Sequence, residues 1–438
     1  MRPKAILSLL PVLLLVGCSR PQGPATPASA PAQTATATTL TVWDWLSADP
    51  SQGVGHWLTE VDEQFGQAHP GVNLKHVAQS HTEYYEILKA AEAAAGQQGG
   101  PDVVMIHQGS RVMDHRQSLL PLDKYVPPEL KKKIVGWELT SEGFSAEGTP
   151  YAVPVAVQGL AWYYNRQVLA QAGLDPGKPP STWDEFLSAC GKVKAAGYAP
   201  IAAGEKEGDW ADWFVNSAYF LDLSDADRVA LQSGAMSWTD PKVESVLRRF
   251  AGLGERGFFQ EGFMSTPLFP DTGEVFMRGE AAFILGLLSD VAHWKEFSEI
   301  LGPENVGVMM CPGADRLPVG GGFAYGIASW SPNPDLAFEY ISLIVSDENA
   351  NAFLAQAGSF PANQDYDAGQ IKNPTAKQIA GWVAEGKTGQ PLTAQVPTEV
   401  VEALKRECQR ILTGQTDIPA ALAAIDAVAK AAREGGAE

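Results

Sequence analysis

Two strings in this chain match patterns that cradle phosphate, and neither sits where that chemistry needs it. Gly381-x-x-x-x-Gly386-Lys387-Thr388 fits the nucleotide-phosphate loop. Such a loop follows a buried strand and opens a helix whose amides hold the phosphate. Here Asn373 to Ala380 reads as helix before the string, and Gly389 to Pro397, with Pro391 and Pro397, reads as loop after it. Gly252-x-Gly254-x-x-Gly257 fits the dinucleotide string but ends a helix, where glycine supplies the positive φ of a stop. The seven histidines form no HExxH, and His76 and His81 flank the start of a helix, which argues against a metal site. There is no CxxC and no GxSxG, so neither a redox pair, a zinc knuckle nor a serine elbow is present. Among 51 acidic residues some must lie close together, yet none is marked as the carboxylate pair of a glycoside hydrolase. No cofactor or metal is expected.

What remains is aromatic. The 12 tryptophans cluster at Trp43 and Trp45, at Trp162, and at Trp210 and Trp213. Any one of them serves most simply as core filling. As a set, with Asp44, His107, Gln108 and Gln158 nearby in the pattern, they suit a sugar. A pyranose offers C–H faces that flat rings cover, and a rim of hydroxyls that carboxylates and amides satisfy. Asp44-Trp45 and His107-Gln108 fall at the carboxyl ends of expected strands, where open α/β sheets bind ligands.

The elements that must position these groups alternate. Leu40 to Trp45 alternates as a strand, with Trp43 and Trp45 on one face and Asp44 on the other. Trp57 to Gln67 has helical spacing, Val72 to Val77 reads as a strand, and Tyr84 to Ala95 is a helix stopped by the glycines before Pro101. Asp102 to His107 is a short apolar run that suits a buried parallel strand. Tyr151 to Val157 carries Pro154, which excludes a central ladder and suggests a crossing between lobes. Gly159 to Asn165 is a strand. Helices follow at Trp183–Ala196, Trp210–Leu221 and Lys242–Leu253, the first capped by Ser181 or Thr182. Ala281–Leu288, Val306–Cys311 and Phe323–Trp330 are strands, and the chain from Asn333 is mostly helical. The class is α/β, and the length calls for two lobes.

The chain is acidic, with a net charge of −19, which argues against sequence-independent nucleic-acid binding. Its start has a different character. Arg2 and Lys4 precede an apolar run from Ala5 to Val16, shorter than the roughly 20 residues that span a bilayer, as in a secretory signal. The run ends in Leu15-Val16-Gly17-Cys18, which resembles the bacterial lipobox. That resemblance implies cleavage before Cys18, diacylation of its thiol, and anchoring outside the cytoplasm, on the periplasmic side in a two-membrane cell. Residues 18–39, rich in Pro, Ala, Thr and Ser, read as a disordered tether. Cys190, Cys311 and Cys408 are either three buried thiols or one disulfide and one thiol.

In ordered pieces the chain resembles the extracellular solute-binding proteins of bacterial ABC importers, in the carbohydrate branch related to maltose-binding protein. The pieces are LTVWDW at 40–45, HPGVNL at 69–74, GGPDVVMI at 99–106, LLPLDKYV at 119–126, YAVPVAVQGLAWYYN at 151–165, AGLDPGKPPSTWDEF at 172–186, FMRGEAAFILG at 276–286 and AFEYISLIVSDENA at 337–350. The resemblance implies a two-lobe, type II periplasmic-binding-protein fold that closes on ligand about a hinge. It implies crossings near Pro154–Gln158, Ala281–Ile284 and Tyr325–Ala328, hence lobe 1 as 40–155 plus 284–325 and lobe 2 as 156–283 plus 326–438. It implies ligand contacts from Asp44, Trp45, His107, Gln108, Ser110, Gln158, Trp210, Trp213, Gly321, Gly322 and Phe323, and a monomer that hands a sugar or oligosaccharide to membrane permease subunits. One departure stands out. Relatives carry Trp shortly after the FILG-type strand, whereas Gly286 is followed here by Leu287, Leu288 and Ser289. A polyol phosphate such as a glycerol phosphodiester is the alternative cargo, with Arg111 the basic residue beside a site loop. A secreted glycoside hydrolase is the alternative from the enzyme class.

Overall fold

A computed structural model describes residues 38–81, 83–94, 99–289 and 292–435. The signal segment, Cys18 and nearly all of the tether lie outside the described residues. The folded body opens with β1 (Thr38–Asp44), two residues before the expected start. Helix α1 (Gly53–Ala68) buries Val54, Trp57, Leu58, Val61 and Phe65, the stripe its spacing predicts. Then come β2 (Val72–Ala78), α2 (Tyr84–Ala93), β3 (Val103–His107), the short α3 (Ser110–His115) and β4 (Ala152–Pro154).

The second part begins at β5 (Leu160–Asn165), buried along its whole length. Helix α4 (Trp183–Ala195) follows, with Thr182 and Glu185 forming a reciprocal capping box. Next are β6 (Ala199–Ala202), α5 (Asp209–Ala218), α6 (Asp225–Ser233), α7 (Pro241–Glu255), β7 (Ala281–Leu287), α8 (His293–Leu301), β8 (Val306–Met309) and β9 (Leu317–Pro318). The chain returns with β10 (Phe323–Ile327), α9 (Pro334–Ile344) and α10 (Asp347–Ala357). It ends with α11 (Pro374–Ala384), β11 (Thr388–Gly389), α12 (Thr398–Leu412) and α13 (Ile418–Gly435).

Two mixed sheets organise these elements. The first has the order β2-β1-β3-β10-β4, the second β6-β7-β5-β8. In the first, β1 is parallel to β2 and β3, as the alternation of strand and helix predicts, but β10 is inserted antiparallel between β3 and β4. Val103 to Ile106 are all buried, as a run covered on both faces must be. Helices α1, α9 and α10 pack Trp57, Phe65, Tyr340 and Phe353 against the first sheet. Trp162, Phe186, Trp210, Phe214 and Phe250 fill the core beneath the second.

This topology redraws the lobes. β7 pairs with β5 and β6, and β8 pairs with β5, so 284–309 belongs to the second lobe and not the first. α9 and α10 cover the first sheet, so 334–357 belongs to the first lobe and not the second. The physical reason is that an apolar run buried on both faces is equally at home in either sheet, and pairing alone decides. The crossings lie at 155–159, at 319–322 and after Ala357. They hold one another: Gly320 donates its N–H to Gln158 O at 2.7 Å, and Val157 donates to Phe360 O at 2.8 Å.

The rejected strings sit as their flanks predict. Gly386 turns at φ +70 after the end of α11, and Gly257 at φ +60 after the end of α7. Cys190, Cys311 and Cys408 are three buried free thiols.

Candidate functional site

The ends of β1 and β3 bring a set of rings together. Trp45, one residue past β1, stacks on His107 at 4.4 Å between centroids and 20° between planes. Tyr84 meets Trp45 edge-on at 4.8 Å. The Tyr85 hydroxyl accepts the His107 amide at 3.0 Å and pairs with His107 Nδ1 at 2.7 Å. Burial drives the His107 pKa down to about 3, helped by His81 and Arg111, and burial raises that of Tyr85. Both groups are therefore neutral at physiological pH. The phenol oxygen and Nδ1 share one hydrogen bond, which leaves Nε2 as the ring nitrogen available to other partners. Arg111 lies 4.6 Å from the Tyr85 ring centroid.

Asp44 is turned away from this set, as the alternation of β1 requires. It is fully buried. Its Oδ1 accepts from Leu46 N, Ser47 N and Ser47 Oγ, each at 2.8 Å, and its Oδ2 accepts from His76 Nε2. His76 bonds Asp62 through Nδ1 at 2.8 Å, and Tyr340 donates to Asp62 at 2.7 Å. Burial opposes a charged His76, but its bonds to Asp44 and Asp62 outweigh burial and lift its pKa to about 9. A carboxylate–imidazolium–carboxylate chain thus fixes the turn that carries Trp45.

The second lobe presents carboxylates and rings. Glu205, on the loop after β6, is fully buried; its Oε2 accepts from Ala211 N at 3.1 Å and its Oε1 has no partner among the described residues. Burial raises its pKa to about 8. Asp212 on α5 accepts from Thr393 Oγ1 at 2.9 Å, and burial lifts its pKa to about 6. Asp209 pairs with Lys405 at 2.6 Å. Burial lowers the pKa of His81, in the first lobe, and the negative charge of Asp209 opposes that shift. Trp213 on α5 packs edge-on against Phe269 at 5.6 Å, and Phe269 stacks beside His293 at 5.8 Å. Phe269 is 44% exposed, and His293 Nδ1 accepts the Leu287 amide at 2.8 Å. An exposed ring thus stands beside the end of β7.

Two α/β lobes with three crossings and facing polar rims have known counterparts. The model of the bacterial extracellular solute-binding proteins matches residues 60–379. The chain belongs to that family. As a solute-binding protein it is 22% identical over 346 residues to the sn-glycerol-3-phosphate-binding periplasmic protein UgpB of Salmonella paratyphi A, with 74% of each chain covered. Among solved structures it resembles a chitin oligosaccharide binding protein, with a TM-score of 0.79, 22% identity, and 90% of this chain and 98% of that one covered. It also resembles the maltose-bound MalE3 of T. maritima, with a TM-score of 0.69, 20% identity, and 90% and 99% covered.

The sequence-predicted residues of this solute-binding protein divide into two groups. Trp45, His107 and Trp213 are half-buried at the strand and helix ends. Ser110 opens α3, and Gly321 is half-exposed with open space above its Cα. The others are turned inward. Trp210 is 1% exposed and lies among Trp162, Phe214, Phe250 and Phe259. Phe323 is wholly buried in β10. Gln108 Nε2 donates to Ala156 O and Phe323 O, at 3.1 and 3.2 Å. Gln158 Oε1 accepts from Gly159, Leu288 and Ser289 amides, and its Nε2 donates to Ser289 O. A Cβ on Gly322 would meet Ala156 O at 2.2 Å. These polar groups are spent on the crossings, where buried amides must find partners. Sequence reasoning missed His81, Tyr85 and Phe269 as members of the site. The Tyr84-Tyr85 pair was the available signal for one of them; Phe269 gave none, because its position depends on a loop packing beside β7.

Proposed function

We propose that this protein captures a sugar or oligosaccharide between its lobes and delivers it to the permease of an ABC importer. The observation that carries the reading is the Trp45–His107 stack, with imidazole Nε2 available, facing a lobe that offers Trp213, Phe269 and the carboxylates of Asp209 and Asp212. Rings of this kind cover pyranose faces, and the polar groups suit hydroxyls. Trp45, His107, Ser110, Trp213 and Gly321 are the ligand contacts carried over from the sequence, and Phe269 takes the place of the tryptophan absent after β7. Asp44, Gln108, Gln158, Trp210, Gly322 and Phe323 brace the turn, the crossings and the cores. The solute-binding proteins of known structure named above include receptors titled for chitin oligosaccharide and maltose, which supports the same reading. The protein acts as a monomer, catalyses nothing, binds no nucleic acid, and is held outside the cytoplasm by lipid on Cys18. Closing of the lobes on ligand is the signal that the permease reads.

A polyol phosphate is the second reading. Arg111 has no carboxylate partner among the described residues, and UgpB is a relative by sequence.

A thermal-shift panel on the full-length chain separates the two. A ligand that binds only the folded state raises the midpoint with the logarithm of its concentration. A rise with mono- or oligosaccharides and no product formed supports the first reading. A rise only with glycerol phosphate esters replaces it with the second, and hydrolysis of a glycoside makes the protein an enzyme.

A further inference from the structure

A cavity of about 590 Å³ opens between α3 and Phe144 of the first lobe and α6, α12 and α13 of the second. That volume suits a small ligand. Its walls include Met113, Phe144, Val229 and Trp238. Phe144 sits at φ +52, a conformation a non-glycine residue adopts only when its surroundings impose it.

The polar side of the cavity is built for negative charge. Arg433 lines it, and no carboxylate pairs with Arg433 among the described residues. Gly234, at φ +81, makes room for it: a Cβ there would lie 2.5 Å from Arg433 Nε. Behind the wall lies Arg228, 8% exposed, its Nε without a partner and no carboxylate in reach among the described residues. Its Nη1 donates to Gln232 Oε1 at 3.0 Å and to Gln395 Oε1 at 3.4 Å. Both glutamines line the cavity. With their oxygens turned to Arg228, each amide spends one N–H within the protein, on Leu392 O at 3.2 Å and on Gln390 Oε1 at 2.8 Å, and keeps a second. The only carboxylate in the lining among the described residues, Asp114, accepts from the Thr398 hydroxyl at 3.0 Å. Arg228, behind the wall, thus adds an uncompensated positive charge to that of the half-buried Arg433, and both favour an anion in the cavity.

We propose that this cavity takes the acidic end of the cargo, a uronic acid residue. Arg433 pairs with the ring carboxylate, the free N–H groups of Gln232 and Gln395 donate to it or to its neighbouring hydroxyls, and Phe144 and the exposed Val229 lie against the apolar face of the ring. The inference rests on the saccharide reading and narrows its substrate class.

Titration calorimetry on the full-length chain tests it with oligosaccharides in three forms: neutral, ending in the corresponding uronic acid, and ending in a sugar phosphate. The uronide is expected to bind about tenfold or more tightly than the neutral form. Arg433→Gln is expected to remove that advantage while leaving neutral binding unchanged, and Arg433→Lys to restore part of it. Equal affinity for neutral and uronide forms, a preference for the phosphate, or an equal loss for both forms in Arg433→Gln overturns this inference and leaves the saccharide reading standing. Absence of binding by any saccharide overturns both.

Discussion

The two lobes meet the cleft with different chemistry. The first brings rings locked to one another and to the backbone: Trp45 on His107, His107 on Tyr85, and the Trp45 turn on Asp44 and His76. The second brings the half-buried carboxylates of Asp209 and Asp212, the latter with its pKa raised by burial to about 6, beside the half-exposed Trp213 and the exposed Phe269. One face is held by its own hydrogen bonds; the other, with Phe269 exposed, is the less constrained and so the more adjustable.

The contrast breaks most visibly at Trp210 and Trp45. Trp210→Ala empties a packed core and is expected to lower stability by about 3–5 kcal/mol, read as the urea midpoint, with the affinity of the folded fraction unchanged. If affinity falls and stability does not, Trp210 belongs to the cleft. Trp45→Ala is expected to act the other way. Affinity should fall by about 1–3 kcal/mol in calorimetry while the unfolding midpoint moves little. Phe269→Ala is the milder case on the adjustable face, at about 1 kcal/mol in affinity; an unchanged Kd would mean that the ring beside β7 touches no ligand.

The pH dependence of His76 sharpens the comparison. Its folded pKa of about 9 lies above its ordinary value of 6.5, so it contributes stability that is complete below 6.5 and is lost as pH rises through 9. Roughly 1–3 kcal/mol is expected to disappear between pH 6.5 and 10. His76→Gln should flatten that stretch of the stability profile. An unchanged profile would show that Asp44 and Asp62 do not hold a charged ring.

Most of the elements were legible in the sequence, because helical stripes and apolar runs record burial directly. The lobe boundaries were not, since Ala281–Leu287 and Phe323–Ile327 are equally apolar and only their partners differ. Trp45 and His107 lie at the strand ends where periodicity places them, whereas Trp213 entered from the family resemblance, which did not choose between it and Trp210. Side-chain direction followed from neither. Asp44, Gln108 and Gln158 look like ligand groups by type, yet Asp44 closes on its own turn and on His76, and the two glutamines close on backbone groups of distant segments such as Phe323 and Ser289. Spacing carries no record of such partners. Trp210 and Trp213 share a helix, and only the tertiary packing separates the buried ring from the half-exposed one.

The insertion of β10 between β3 and β4 also dictates an order of assembly. The first sheet has a gap beside β3 until Phe323–Ile327 exists, so its partners must wait while the second sheet, β5 to β8, is made. At ordinary rates of translation that delay is on the order of ten seconds. The N-terminal half therefore emerges from the ribosome unable to complete its first sheet, and β3 keeps an open edge until the return strand arrives.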